Sequence, residues 1–168
     1  TRLVRDQAVE ELSAVLRSQL DDQEESFADQ PRFRLHQQNY RQVRHILARL
    51  THWLDGQCGL ASHFEDLVSQ GKARQFEIEH IWADHHDRYR EVFPHASDFE
   101  IARNRIGGLL LIQRGLNQSL GDATYEDKID AYVTKGENQL ARSLHSQAYS
   151  NNPSFRAVLD RTGLDFQA

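Results

Sequence analysis

The chain has 168 residues, of which 27% are charged and 39% hydrophobic, and its net charge is −5 at pH 7. This length fits one domain, or one domain with a helical subdomain attached, and the apolar content argues against a wholly disordered chain. The acidic balance argues against a protein that holds nucleic acid by charge alone, but it is compatible with an enzyme that contacts a few phosphates. The longest apolar run, Leu109–Ile112, is too short to span a membrane, and we expect a cytoplasmic protein.

The termini and the cysteine content give two further expectations. The chain begins at Thr1 and contains no Met, which predicts a processed protein or an excised fragment of a longer one, and we favour the fragment. The single cysteine, Cys58, excludes an internal disulfide and a zinc site built from cysteine pairs. We expect Cys58 to be a small buried side chain.

Two amphipathic helices are predicted in the first part of the chain. In the first, apolar residues recur at helical spacing at Ala8, Leu12, Val15, Leu16 and Leu20. An acidic run that ends near Pro31 is typical of a solvated linker. The apolar stripe of the second helix consists of Tyr40, Val43, Ile46, Leu47, Leu50, Trp53 and Leu54. Arg41, Arg44 and Arg49 lie off this stripe, where a solvated helix face is more usual than a phosphate contact.

The periodicity then changes from helical to alternating. After a short helix over residues 62–69, residues 75–79 alternate polar and apolar side chains and predict a strand. This strand ends in Glu79-His80-Ile81. Its end is therefore rich in side chains that can take part in catalysis.

A second strand is predicted over residues 106–112. Gly107 and Gly108 lie at its entry, and paired glycines beside a strand indicate close approach of another backbone. Between the two strands, Ser97 and Glu100 form a capping-box pattern that predicts a short helix.

Helices complete the chain after the second strand. A turn and a short helix are predicted over residues 115–119, and Thr124 with Asp127 marks the start of another helix. Asn152-Pro153 is an N-cap followed by proline at the first helical position, and opens the last helix. The sequence thus predicts an α+β, mostly helical fold, with a two-stranded hairpin embedded in flanking helices.

Glu79 and His80 at a strand end, with Asn117 at a helix start, form a combination that suits metal-assisted phosphodiester hydrolysis. Carboxylate and amide oxygens are hard ligands for Mg²⁺ or Mn²⁺. A metal polarises the phosphate, while a neutral histidine activates water. Spacing alone does not exclude the alternative that Glu79 and His80 are a surface ion pair.

Four motifs in order make the prediction more specific. They are Phe76-Glu77-Ile78-Glu79-His80-Ile81, Arg103-Asn104-Arg105-Ile106-Gly107-Gly108-Leu109-Leu110-Leu111, Leu116-Asn117 and Tyr125-Glu126-Asp127-Lys128. Together they resemble the HNH, or His-Me finger, nuclease domain at the C-terminus of GmrSD-like restriction enzymes. The resemblance covers about residues 76–132, and the preceding helices look like the usual preamble of that family.

The resemblance implies a ββα-metal core in which His80 is the general base, Asn117 a metal ligand and Glu79 often another. It implies a divalent metal cofactor, Mg²⁺ or Mn²⁺, DNA as substrate, and a restriction or anti-phage role. It also implies an upstream modification-sensing or NTP-handling domain in the same protein. We expect a preamble over 1–74, a nuclease core over 75–135 and a helical extension over 136–168.

The sequence departs from the family pattern at one position. The family usually has Asn after Ile-Gly in the second strand, where it helps to hold the loop of the catalytic histidine, whereas this chain has Gly108. Asn104 is the candidate substitute, by bonding the loop backbone. A weakened or inactive site is the alternative, and a third possibility is that the glycine itself is required for close backbone approach.

Several basic residues are candidates for DNA contact. Arg103 and Arg105 flank the second strand and suit bidentate phosphate binding, or a structural ion pair with Glu100 or Asp98. Lys128 suits phosphate neutralisation, or an exposed position beside Thr124.

The histidines of the loop after the first strand have two interpretations as well. His85 and His86 suit a phosphate contact or a further metal ligand, although loop histidines are more often solvated. Trp82, beside His80, is expected to be a core aromatic residue rather than a platform for base stacking. Tyr132 and Phe155 are expected to pack only.

The leading hypothesis is a metal-dependent DNA endonuclease domain. A non-catalytic helical interaction module with a decayed HNH-like site is the alternative, since Gly108 replaces the usual Asn. A metal-dependent hydrolase of nucleotides or RNA is a third hypothesis. On the leading hypothesis, the domain alone binds DNA weakly and without sequence preference.

Overall fold

The computed structural model describes residues 9–22, 33–69, 75–136, 138–150 and 152–163. The chain divides into two compact units, Thr1–Phe33 and Arg34–Ala168. Within the first unit, helix α1 spans Val9–Asp21, as predicted. The second half of the acidic run before Pro31, Glu24 and Glu25, lies outside the described residues. The boundaries 1–74, 75–135 and 136–168 stay a prediction.

The second unit is mostly helical with one small sheet, so the predicted α+β class is confirmed. Its elements are α2 (Tyr40–Gln57), α3 (Phe64–Val68), β1 (Phe76–His80), α4 (Ala96–Arg103), β2 (Leu109–Gln113), α5 (Arg114–Leu120), α6 (Tyr125–Lys135), α7 (Gln139–Arg142), α8 (Gln147–Ser150) and α9 (Pro153–Thr162). Short 3-10 turns occupy Gln37–Asn39, His86–Tyr89 and Ile106–Gly108. In the described part of the chain, no helix is long and apolar enough to cross a membrane.

The hairpin has two faces with different chemistry. β1 and β2 pair antiparallel, with Glu79 opposite Leu110 and His80 opposite Leu109. Because side chains alternate along a strand, neighbouring residues point to opposite sides. The side that we call the carboxylate face carries Glu77, Glu79, Leu110 and Ile112. The side that we call the histidine face carries Ile78, His80, Leu109 and Leu111.

Among the described residues, two apolar clusters connect elements of the second unit. The first joins the hairpin to α5, α6 and α7 and consists of Ile81, Leu110, Ile112, Leu120, Tyr132 and Ala141. The second joins α2 to α8 and α9 and consists of Leu54, Cys58, Ala148, Phe155 and Val158. The burial predicted for Cys58 is thus confirmed. Burying such side chains against one another is the main stabilising contribution to a fold of this size.

The predicted helix starts at Thr124 and Asn152 are confirmed. The Thr124 hydroxyl accepts a hydrogen bond from the Asp127 N–H at 3.2 Å. Asn152 Oδ1 accepts one from the Phe155 N–H at 3.1 Å, and Pro153 follows it at the first helical position. These side chains satisfy amide donors that have no partner inside the helix.

Two predicted element boundaries are wrong. The second strand begins at Leu109, because residues 106–108 form a 3-10 turn that is closed by Gly108 N–H donating to Arg105 O at 2.8 Å. Helix α4 begins at Ala96 after His95, without a side-chain cap, so the pattern of Ser97 and Glu100 does not define its start.

The expectation that Arg44 is solvated is also wrong. Arg44 is 3% exposed, and its Nη2 donates to Leu67 O and Ser69 O, each at 3.2 Å. The guanidinium thereby bonds carbonyls at the C-terminal end of α3, which have no partner inside that helix. By contrast, Leu50 and Trp53 of the predicted apolar stripe are exposed.

Candidate active site

His80 is the last residue of β1, and its ring is held by Asn104. His80 Nε2 lies 2.9 Å from Asn104 Oδ1. Asn104 Nδ2 donates to Glu100 O at 2.9 Å, which turns the amide oxygen toward the ring. Because that oxygen only accepts, the hydrogen-bond pattern assigns the proton to Nε2 and leaves the lone pair on Nδ1. Nδ1 is therefore the basic atom of the ring.

The surroundings of His80 favour the neutral ring. Burial lowers its pKa below the ordinary histidine value, and the nearby charges of Arg103 and Lys128 act in the same direction. The hydrogen bond with Asn104 and the charge of Asp84 oppose this shift. A neutral imidazole near pH 7 is the form that can accept a proton.

The loop after His80 is fixed by backbone contacts. Ile81 N–H donates to Gly108 O at 3.0 Å, and Arg103 Nε donates to Trp82 O at 2.9 Å. A Cβ atom on Gly108 would lie 2.7 Å from Arg103 O, a distance that real Cβ atoms do not adopt. The close backbone approach predicted at the paired glycines is therefore present at Gly108.

This arrangement corrects two residue predictions. Arg103 bonds the Trp82 carbonyl, and in the described residues it forms no ion pair with Glu100 or Asp98. Asn104 contacts the ring of His80 rather than the loop backbone that the sequence suggested. The loop itself is held by the Gly108 carbonyl and the Arg103 side chain.

Glu79 and Lys128 form a buried ion pair on the carboxylate face. Lys128 Nζ donates to Glu79 Oε1 at 2.6 Å and to His80 O at 2.8 Å. The Tyr132 hydroxyl donates to the same Glu79 oxygen at 3.1 Å. Lys128 is 1% exposed and Glu79 is 6% exposed.

Both positions that the sequence suggested for Lys128 are therefore wrong. A side chain buried to this extent neither lies on an exposed helix face nor reaches a DNA phosphate. Tyr132 does more than pack, since its hydroxyl is a partner of Glu79. Phe155 is buried in the second apolar cluster, as expected.

Asn117 lies on α5 beside a different carboxylate, that of Glu77. Asn117 Nδ2 donates to Glu77 Oε2 at 3.2 Å, and Arg114 Nε lies 3.4 Å from Glu77 Oε1. The oxygen of the Asn117 amide and the carboxylate of Glu77 are hard donors of the type that Mg²⁺ and Mn²⁺ prefer. Glu77 is thus the carboxylate that the hydrogen bonds associate with Asn117.

Direct hydrogen bonds do not connect Glu79, His80 and Asn117 among the described residues. Within the described residues, no hydrogen bond links Asn117 to His80 or to Glu79, and no group of three or more His, Cys, Asp or Glu side chains is arranged to hold a metal. The amide oxygen of Asn117 is a donor that fits a divalent ion. Glu77 already accepts from Asn117 Nδ2 and lies beside Arg114, and Glu79 Oε1 is occupied by Lys128.

The two loop histidines have protein partners. His86 Nε2 lies 2.7 Å from Phe93 O, and the His86 ring packs on Phe99. Trp82 also stacks on Phe99, which confirms its position in an aromatic cluster. His85 Nε2 lies 3.4 Å from Asp122 Oδ2 near the surface. His86 is therefore engaged inside the protein, while His85 remains partly accessible.

Arg34 is a candidate that the sequence analysis missed. Arg34 and Arg105 face each other across an isolated antiparallel β-bridge, and both are exposed. Leu35 N–H donates to Asn104 O at 2.7 Å, so this bridge is connected to the residue that holds His80. In the sequence, Arg34 lies far from every motif, and no local pattern indicates it.

Comparison with protein families identifies the family of the chain. The family model of the GmrSD restriction endonucleases, C-terminal domain, matches residues 6–155. The chain belongs to this family. Membership in the GmrSD C-terminal family makes the chain a restriction-endonuclease-related domain. No curated protein and no solved structure matches the chain.

Proposed function

We propose that this domain hydrolyses phosphodiester bonds of DNA, with His80 as the general base. The observation that carries the proposal is the 2.9 Å contact of His80 Nε2 with Asn104 Oδ1. It orients the ring and leaves Nδ1 free as a base. The GmrSD family match supports DNA as the substrate class.

The proposed reaction is a direct hydrolysis. His80 Nδ1 accepts a proton from water, the water oxygen forms a bond to phosphorus, and the bond to the leaving oxygen breaks. The leaving oxygen takes a proton from solvent. The lowered pKa of His80 keeps Nδ1 unprotonated near neutral pH, where a general base is needed.

A divalent ion, Mg²⁺ or Mn²⁺, is part of this proposal. Asn117 would hold it through its amide oxygen, and the carboxylate of Glu77, to which Asn117 Nδ2 donates, is the neighbouring acid. When bound, such an ion neutralises charge on the phosphate and stabilises the leaving oxygen.

We assign the contacts with the DNA backbone to exposed basic side chains. Arg105 and Arg34 lie on a bridge next to Asn104, and His85 is partly accessible on the loop after β1. Arginine suits phosphate because its planar guanidinium donates two parallel hydrogen bonds. Because the net charge of the chain is −5, binding to DNA through these side chains is local and weak.

We further propose that the domain is the effector part of a restriction or anti-phage protein. Target sensing then belongs to an upstream domain of the same protein that recognises a modification or handles a nucleotide. The acidic net charge supports this division, because the domain itself has little long-range attraction for DNA.

Plasmid nicking tests the proposal. Supercoiled DNA and an RNA of similar length are incubated with the domain and Mg²⁺ or Mn²⁺, and the products are followed on gels. We expect DNA to be nicked, and His80→Ala to lower the rate roughly 10²-fold or more. His52→Ala, which changes an exposed histidine of α2, is the matched control.

Three outcomes separate the hypotheses. Equal rates for His80→Ala and the parent would remove His80 from the reaction. No cleavage of either substrate, by a domain that is folded by circular dichroism, would favour the non-catalytic interaction module. Cleavage of RNA but not DNA would favour the third hypothesis.

A further inference from the structure

The ammonium group of Lys128 connects the side chain of Glu79 with the main chain of His80. Its Nζ donates to Glu79 Oε1 at 2.6 Å and to His80 O at 2.8 Å. Both acceptors belong to adjacent residues at the end of β1. The end of the strand is therefore tied to α6 through one side chain, at the residue that carries the proposed base.

Tyr132 completes this contact from the same helix. It follows Lys128 by four residues, so both side chains lie on one face of α6. Its hydroxyl donates to Glu79 Oε1 at 3.1 Å. Burial and the charge of Glu79 raise the pKa of Tyr132, which keeps the hydroxyl protonated as a donor.

Stability alone is a poor explanation for this ion pair. Removing two charges from water costs free energy that their attraction often fails to recover, and an apolar pair of similar volume is frequently as stable. A buried pair fixes geometry more narrowly than apolar contacts, because its hydrogen bonds are directional. The second hydrogen bond of Lys128, to His80 O, connects the ion pair to the main chain of the proposed general base.

We propose that Glu79 and Lys128 are positioning residues that hold the main chain of His80, and that Glu79 is not a metal ligand. The proposal rests on the proposed role of His80 as general base. It replaces the expectation drawn from the family resemblance, in which Glu79 binds the ion.

The contacts of Glu79 support this assignment. Its Oε1 accepts two hydrogen bonds, and the carboxylate is almost fully buried. A divalent cation bound to this carboxylate would lie close to the buried Lys128 ammonium, so the two positive charges would repel. Arg114 beside Glu77 is half-exposed and its contact is longer, at 3.4 Å, so that pair constrains its carboxylate less. Asn117, in contrast, is hydrogen-bonded to Glu77 and has no bond to Glu79 in the described part of the chain.

The first experiment needs no activity. Lys128→Met removes the ammonium but keeps a long side chain, and Lys135→Met changes an exposed lysine of the same helix as the matched control. The readouts are the imidazole NMR signals of His80 and the hydrogen exchange of the Ile81 amide, which donates to Gly108 O. The Val43 amide in α2 reports global stability.

We expect Lys128→Met to shift the His80 signals and to speed exchange of the Ile81 amide about tenfold more than that of Val43. Lys135→Met should leave both unchanged. Unchanged His80 signals and Ile81 exchange in a folded Lys128→Met would overturn the proposal. If this variant does not fold, Tyr132→Phe, which removes only one hydrogen bond to Glu79, replaces it with the same expected direction.

The second experiment separates positioning from metal binding. Glu79→Gln keeps an acceptor oxygen but removes the charge. We expect kcat to fall roughly tenfold, with the metal concentration for half-maximal nicking within about twofold of the parent. The kcat of the double variant Glu79→Gln/Lys128→Met should lie within about twofold of the kcat of the slower single variant. The two effects do not multiply, because both residues act through one contact.

A tenfold or greater rise in the metal requirement of Glu79→Gln would overturn the proposal and restore Glu79 as a ligand. Multiplying effects in the double variant would also contradict it. If the parent domain does not nick DNA, the proposed function fails, and the NMR comparison of Lys128→Met with Lys135→Met still decides whether these residues position His80.

Discussion

The chemistry of His80 depends on a few neighbouring groups. Asn104 Oδ1 accepts from Nε2 and so favours the tautomer with the lone pair on Nδ1, and burial lowers the pKa of the ring. Removing the amide oxygen of Asn104 would remove the contact that fixes both the tautomer and the orientation of the His80 ring. A general base misplaced by about 1 Å can lose on the order of 10²-fold in rate.

The pH dependence of nicking follows from the lowered pKa of His80. The protonated ring is inactive as a base, so activity is lost as the pH falls through the folded-state pKa. Because that pKa is lowered, we expect the acidic midpoint of kcat/KM below the pH typical of an ordinary histidine. A pH–rate profile of plasmid nicking measures it, and a midpoint above the ordinary value would contradict the environment described for His80.

Two substitutions of Asn104 should shift this midpoint in opposite directions. Asn104→Asp places a carboxylate beside Nε2–H, which favours the protonated ring and moves the midpoint to higher pH. Asn104→Ala removes a hydrogen bond that raises the pKa, so the midpoint should move lower while the rate falls about tenfold or more. Parental activity in Asn104→Ala would exclude Asn104 from the site.

Metal dependence tests the assignment of Asn117. We expect EDTA to abolish nicking and Asn117→Ala to raise the required Mg²⁺ concentration about tenfold or more, because an oxygen ligand is lost. Asn117→Asp, which keeps an oxygen donor at the same place, is the control and should retain metal-dependent activity. Full activity in EDTA would show that the reaction does not use a divalent ion.

At the scale of elements, the hairpin and the turn before β2 position the site. The 3-10 turn over Ile106–Gly108 brings the Gly108 carbonyl to the Ile81 amide, directly after His80. The same approach places Gly108 against Arg103 O. The absence of the usual Asn at this position is thus accompanied by a backbone contact that a side chain would disturb.

The neighbouring glycines allow a matched test of this contact. A Cβ on Gly108 would overlap Arg103 O, whereas a Cβ on Gly107 would have no neighbour within 4 Å among the described residues. We expect Gly108→Ala to lower the free energy of unfolding by roughly 1–3 kcal/mol and Gly107→Ala to change it by less than about 0.5 kcal/mol. Urea denaturation measures both.

Nicking assays extend the same comparison. Gly108→Asn should not raise activity above the parent, because its Cβ meets the same carbonyl as that of Gly108→Ala. Higher activity in Gly108→Asn would instead support a site that has decayed through loss of the family's Asn.

At the scale of the whole molecule, the net charge of −5 restricts how DNA is held. Attraction over long distances is weak, so binding depends on local contacts such as Arg34 and Arg105. These two arginines are exposed on a bridge beside Asn104, and like charges placed opposite each other repel unless an anion lies between them.

The salt dependence of DNA binding tests these arginines. In a His80→Ala background, which prevents cutting, Arg34→Gln and Arg105→Gln should each reduce the slope of log Kd against log salt by about 0.9 on duplex DNA. Arg156→Gln, an exposed arginine of α9, is the control. Equal slopes for all variants would exclude a phosphate contact at the bridge.

Much of the fold could be predicted from local sequence patterns. Periodicity identified α1, α2 and the first strand, and side-chain caps identified the starts at Thr124 and Asn152. These features depend on neighbours within about four residues, which the sequence shows directly. The start of α4 and of β2 was predicted wrongly, because backbone contacts rather than side-chain patterns define them.

The candidate site was predictable only in part. The sequence alone determined that His80 stands at a strand end, and its motifs led to the GmrSD family. The tertiary structure decided the partners: Asn104 for His80, 24 residues apart, and Lys128 for Glu79, 49 residues apart. Strand alternation places the side chains of Glu79 and His80 on opposite faces of the hairpin. Long-range packing then brings the Asn104 amide to His80 and the Lys128 ammonium to Glu79. Such contacts leave no local periodicity in the sequence.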